Sequence, residues 1–219
     1  MRRRAAGFLI AGVAAGVLVV AAPAAAAPVA DASCVTPFGY NIAPNPGSLK
    51  AAQVFTAQHT GKLVTGQFGL KNPAASTAGD WLFEVAATAG GAPGAILASQ
   101  TVPDTLPPTG PGVTTPVTAT FANPVAVTVG TSYALLISRP GSNNYEVNAG
   151  AADVCPGQQN YNQLTVGGPF IADNGVDLGF ATTVDVATGE RAAALKKCKK
   201  KHPKKKRKKC RKKAKKKPL

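Results

Sequence analysis

Along the middle of the chain, apolar and polar residues alternate in short runs, and turn-forming residues separate the runs. AQVFT (52–56), KLVTGQFGL (62–70), WLFEVAA (81–87), AILASQTV (95–102), VTATF (117–121), VAVTV (125–129), YALLIS (133–138) and VDLGFATTVDV (176–186) form the series. A period of two places successive side chains on opposite faces, which is the pattern of a half-buried strand. The separators Gly90-Gly91-Ala92-Pro93-Gly94 and Pro107-Pro108-Thr109-Gly110-Pro111-Gly112 break extended structure. Eight or so strands with turns between them predict an all-β, antiparallel, jelly-roll-like β-sandwich. Its expected core is Val54, Leu63, Phe83, Val85, Leu97, Phe121, Leu135, Ile137 and Phe180, with Trp81 as packing. Helix is expected only over 192–197, where Ala and Leu favour it. Beyond that, like-charge repulsion and Pro203 oppose it.

The runs QVFTA, TGKLVTGQFGL, WLFEVAAT, GAPGAILASQTVP and VTATFANPVAVTVGTSYALLIS, in that order, are similar to secreted bacterial β-sandwich modules known as choice-of-anchor domains. These occur mainly in actinobacterial surface and extracellular proteins. The Q-x-F-T opening falls on 53–56, the Pro-Gly-x-x-Leu-Ala-Ser turn and strand on 93–99, and the late F-x-x-P-V-x-V-T-x-G-T-x-Tyr-Ala-Leu stretch on 121–135. The resemblance covers about residues 51–186. It implies a jelly-roll-like fold and an extracellular setting, and it brings no catalytic residues. A lysine-rich ending in place of a sorting signal or membrane segment departs from those modules.

The two ends depart from the strand pattern. Arg2, Arg3 and Arg4 precede an uncharged apolar run over 7–22, followed by small residues at 23–27. This is the layout of a secretory signal peptide over 1–26. Ala24-Ala25-Ala26 fits the cleavage site, and Ala30-Asp31-Ala32 is a second candidate, with cutting as late as residue 32. A retained membrane anchor is the alternative, because the run is close to the ~17-residue lower limit for spanning. The Arg pair fits a twin-arginine route poorly, and Asp31 argues against a lipoprotein site at Cys34. The sandwich domain is then 33–190 and the basic tail 191–219.

Charge separates these parts sharply. Residues 33–190 hold four bases (Lys50, Lys62, Lys71, Arg139) and nine acids, whereas 191–219 hold 18 bases and no acid. The overall net charge of +15 averages a mildly acidic body and a polycationic tail. The tail is expected to be disordered. Its lysines, Lys196, Lys197, Lys199, Lys200, Lys201, Lys204, Lys205, Lys206, Lys208, Lys209, Lys212 and Lys213, with Arg207 and Arg211, are the expected polyanion-binding set. With almost no aromatic residue among them they cannot stack bases or read sequence, but they can release counterions from any polyanion. For an exported chain the expected partners are anionic cell-wall polymers or lipid headgroups, with glycans and extracellular DNA as further candidates. A solubilising extension without a partner is the plain alternative, and a nuclear-localisation reading conflicts with the leader.

Cysteine use agrees with export. Cys34 and Cys155 bracket the body, and a bridge between them would close a long loop, although two buried thiols would also satisfy the sequence. Cys198 and Cys210 could pair with each other or with another chain.

No catalytic constellation stands out. His59 is the only histidine of the body and reads as a loop residue. There is no Gly-x-Ser-x-Gly elbow. Asp173-Asn174-Gly175-Val176-Asp177 lacks the acid ladder of a calcium loop and reads as a turn. Cys198, His202 and Cys210 match no zinc spacing, and the surrounding ammonium groups repel a cation. A hydrolase would need Asp153, Asp173 or Asp177 gathered beside His59. No metal, cofactor or enzymatic activity is expected.

The stretch SNNYEVNAGAADVCPGQQNYNQ (142–163) is rich in amides and tyrosine. Amides offer donors and acceptors together, and a tyrosine face can stack on a sugar ring. Tyr145, Tyr161, Asn143, Asn144, Gln159 and Asn162 are therefore the candidate glycan contacts, and a polar loop pair hiding a sheet edge is the alternative. The expected function is a non-enzymatic exported protein, tethered electrostatically to the cell envelope, whose body serves adhesion or glycan contact. The alternative is an extracellular polyanion- or nucleic-acid-binding protein with the sandwich as carrier.

Overall fold

A computed structural model describes residues 28–36, 40–42, 50–71, 79–106, 114–140, 145–150, 153–186, 198 and 209–213. The expected leader and its cleavage sites at 24–26, most of the basic tail, and Asn143 and Asn144 lie outside the described residues.

The described body is all-β. Its strands are β1 (Pro28–Cys34), β2 (Tyr40–Ile42), β3 (Lys50–Thr56), β4 (Gly61–Lys71), β5 (Trp81–Ala89), β6 (Ala92–Val102), β7 (Thr115–Val127), β8 (Ser132–Ser138), β9 (Glu146–Gly150), β10 (Gln159–Gln163), β11 (Phe170–Asp173), β12 (Asp177–Leu178) and β13 (Phe180–Asp185). They form two antiparallel sheets packed as a sandwich. The seven-stranded sheet runs β1-β13-β4-β9-β12, with β7 also on β4 and β2 also on β9. The six-stranded sheet runs β11-β10-β3-β8-β5-β6.

The alternating runs explain the packing. From the six-stranded sheet, Phe55, Phe83, Val85, Leu135 and Ile137 point inward. They meet Leu63, Phe68, Phe121, Phe180 and Val184 from the other sheet. Two ring pairs bridge the layers: Phe55 with Phe180 at 5.6 Å and Phe68 with Phe83 at 5.9 Å between centroids. Each such side chain contributes roughly 1.5–3 kcal/mol by burial, and ring pairing adds about 0.5–1.5 kcal/mol.

Several expectations need correction. Leu97 is 46% exposed: β6 is an edge strand, and a register irregularity in its pairing with β5 near Val85 and Ala86 turns Leu97 out of the core. Val54 is buried, but in a second cluster with Ala52, Ala86, Ala134 and Leu136, apart from the main core. The run 117–121 and the first part of the run 125–129 form one strand, β7, which ends at Val127 and pairs with β4 on both sides of an irregularity. Thr65 opposes Thr120 and Leu63 opposes Val125, so residues 121–124 interrupt the ladder as a bulge that keeps Phe121 in the core, and Pro124, which has no N–H to donate, lies in it. The run 176–186 is split at Gly179 into β12 and β13.

The amide-rich stretch also differs from expectation. It supplies β9 and β10, both paired in ladders, rather than a pair of loops. The backbone bonds of β10 to β3 and β11 hold these polar residues extended.

Candidate functional site

The expected disulfide forms. Cys34, at the end of β1, bonds Cys155 across a sequence separation of 121 residues, with 5.8 Å between α-carbons. Beside it, buried Asp177 accepts hydrogen bonds from Gln53 Nε2 and from the Cys155 backbone N–H, both at 2.9 Å. Gln53 Oε1 accepts from the Leu178 N–H at 2.7 Å. Both ends of one amide are thus used to join β3 of one sheet to β12 of the other. This gives the glutamine of the Q-x-F-T run a structural role, and it spends the Asp177 carboxylate on the fold. Cys34, Cys155 and Asp177 place ligand-type atoms within 4.8 Å of one another. The two sulfurs are bonded together, however, and neither is a thiolate that could take a metal.

Trp81 is fully buried, as expected of packing. The Arg139 guanidinium lies 4.8 Å from the centre of its ring and pairs with Asp104, while Arg139 Nε donates to the Gly79 carbonyl at 2.8 Å. Asp104 also accepts from Trp81 Nε1 at 3.2 Å. Tyr145 meets Trp81 edge-on at 5.9 Å and donates its hydroxyl to the Ile137 carbonyl. Burial pushes the Tyr145 phenol above its ordinary range, with a hydrogen bond to the Ala51 backbone drawing it partly back.

That burial corrects the proposed glycan surface. Tyr145 is 1% exposed and belongs to the inner core, so it presents no ring face to a sugar. Tyr161 is half-buried against the second cluster, as Phe170 is. The structure therefore places the two tyrosines in separate clusters. Gln159 Nε2 donates to the carbonyls of Asn160 and Asp173 within its own hairpin, and Asn162 is half-buried.

His59 is paired with Asp31. The carboxylate accepts from the backbone N–H groups of Gln58 and His59 at 2.9 and 2.7 Å, and His59 Nδ1 lies 3.1 Å from it. Asp31 thereby holds the turn between β3 and β4. Asp177 is held instead by Gln53 and Cys155, so the carboxylate partner of His59 is not one of the three that a hydrolase was expected to gather.

Of the expected polyanion set, Lys209, Arg211, Lys212 and Lys213 are described, and the others lie outside the described residues. Residues 209–213 form a short helix with all four cations exposed, and Cys210 bonds buried Cys198. For these residues the expectation of disorder, and the argument against helix, are corrected: a cross-link offsets part of the ordering cost that charge repulsion opposes.

One cleft of about 460 Å³ opens on the outer face of the seven-stranded sheet. It is lined by Ser33, Val35 and Thr36 after and along β1, Gln67 and Gly69 of β4, Thr114 and Pro116 by β7, Asn148 of β9, and Gly179 between β12 and β13. It forms where β4 changes partner on one side, from Phe180 opposite Phe68 to Val147 opposite Leu70. The chains approach so closely here that a β-carbon on Gly69 would fall 2.9 Å from Asn148 Cβ, and one on Gly179 would fall 2.7 Å from Thr36 Oγ1. The residues of this cleft were missed in the sequence. Single glycines inside the strand patterns QFGL and DLGF were the available sign, since isolated strand glycines mark close backbone approach.

No helix among the described residues is long and apolar enough to cross a membrane. No protein-family model matches this chain, and no curated protein sequence does.

Proposed function

We propose that this chain is a non-enzymatic exported protein, held at the cell envelope by its basic tail, with a β-sandwich body that serves adhesion or glycan contact. The observation that carries this reading is the pair of disulfides, one at the sandwich and one in the lysine-rich ending. Both halves of the chain are built for an oxidising compartment. There, 18 cations on 29 residues meet wall polymers and lipid headgroups rather than chromosomal DNA. The likeness to choice-of-anchor modules, with their jelly-roll-like fold, supports the same setting.

The pairing of β1 with β13 supports leader removal after Ala26. A cut there leaves β1 whole. A cut after Ala32 would remove Pro28, Val29 and Ala30 from their pairing with β13, and Asp31 from the turn it holds.

The test is to express the protein with and without residues 191–219 and to follow envelope retention over a salt series. The full chain is expected to stay bound at low salt and to elute as salt rises, and the truncated chain to be released throughout. The tether is overturned if the truncated chain is retained as well as the full chain at low salt, or if both stay bound as salt rises. Competition of DNA against wall polymer separates this reading from that of a general polyanion binder with the sandwich as carrier.

A further inference from the structure

Thr36 is 3% exposed, it lines the cleft, and its hydroxyl has no hydrogen-bond partner. Folds pair their buried hydroxyls, and this one is left unpaired in the wall of a cleft. Around it stand the amides of Asn148 and Gln67 and the hydroxyls of Thr114 and Ser33. The Gln67 amide donates to Thr118 Oγ1 at 2.7 Å, which orients the group and leaves its oxygen as an acceptor.

We infer that this cleft binds a neutral saccharide, an inference that rests on the glycan-contacting role proposed for the body. No ionisable side chain lines it, so a charged ligand would be desolvated without a counter-charge. Every polar group there is a hydroxyl or an amide, and each can both donate and accept, as a ring of sugar hydroxyls requires. Val35, 85% exposed, and Pro116 add apolar surface for the C–H face of a sugar. The volume falls within the ordinary range of ligand sites, roughly 300–1,000 Å³. An extended peptide fits less well. Phe68 of β4 is already paired with Val117 on one side and Phe180 on the other, so no free ladder edge is available at the cleft floor.

The two glycines make the site. With any side chain at Gly179 the β-carbon would occupy the space against Thr36 Oγ1 and, at 3.0 Å, Asn148 Nδ2. Glycine keeps the β-carbon position beside those two polar groups empty, with bare backbone beneath the cleft.

The experiment uses the full exported chain and a panel of neutral and acidic polysaccharides in about 1 M salt, where a Debye length of about 3 Å silences the tail. Binding of a neutral saccharide is expected. Thr36→Val removes a hydroxyl that has no bond within the protein, so its denaturation midpoint should hold or rise, while saccharide affinity falls about fivefold to tenfold. Asn148→Ala should lower affinity about tenfold or more. If a neutral saccharide binds and both variants keep wild-type affinity, the cleft assignment is overturned and glycan contact by the body survives. If no polysaccharide binds at high salt, both fail together, and the salt-dependent tether is left standing alone.

Discussion

Between residues 33 and 190, three of the four cations lie against a carboxylate: Lys50 on Glu84, Lys71 on Glu146 and Arg139 on Asp104. Between residues 191 and 219, 18 cations follow one another with no acid among them. The described members of the second group, Lys209, Arg211, Lys212 and Lys213, are exposed, and none makes an ion pair with a described residue. The body uses charge to define its own contacts. The tail has no acid of its own with which to pair these charges. A cation can therefore be sorted by whether its loss is felt in folding or in binding.

The largest expected effect lies in the tail. Changing Lys204, Lys205, Lys206, Arg207, Lys208 and Lys209 to glutamine should weaken binding to anionic vesicles by about four orders of magnitude at low salt, at about 1 kcal/mol per cation. The unfolding free energy of the body should not change. Vesicle sedimentation and urea denaturation on the same samples check both halves of the statement.

The converse holds in the sandwich. Replacing Cys34 and Cys155 by serine opens a loop of 121 residues and should cost about 4–5 kcal/mol on the chain-entropy account. Urea denaturation of oxidised and variant protein measures it. Arg139→Met keeps most of the side-chain volume over Trp81 but removes the guanidinium that pairs with the Asp104 carboxylate. A loss of about 3–5 kcal/mol is expected, with vesicle binding unchanged. Weakened vesicle binding in this variant would break the division between the two kinds of cation.

The smallest effect concerns pH. The native phenol of Tyr145 ionises above its ordinary range because it is buried, and the unfolded chain ionises near pH ~10. The stability tied to the neutral phenol is complete below about pH 10 and is lost as pH rises beyond it, because only the unfolded state releases the proton. Tyr145→Phe should be less stable by about 1 kcal/mol at neutral pH, having lost the bond to Ile137, and the gap should narrow in alkali. Denaturation curves at neutral and alkaline pH test this.

Local alternation was enough to locate the strands that carry Phe55, Phe83, Leu135, Ile137 and Phe180, because the pleat sorts side chains to two faces whatever the partner strand is. The charge division between body and tail was equally legible, being a property of composition. Pairing decided the rest. Leu97 reads as core until an irregular register in an edge strand turns it outward, and Tyr145 reads as a surface ring until Trp81 covers it. The polar run at 159–163 carries no apolar period, and its extended state comes from the ladders of β3 and β11. The cleft lies furthest from sequence reasoning. Thr36, Gly69, Asn148 and Gly179 are brought together only where β4 exchanges one neighbour for another. A pattern of period two shows which residues share a side of their own strand; which side meets the core, and which distant residues join it there, depend on contacts that only the folded chain settles.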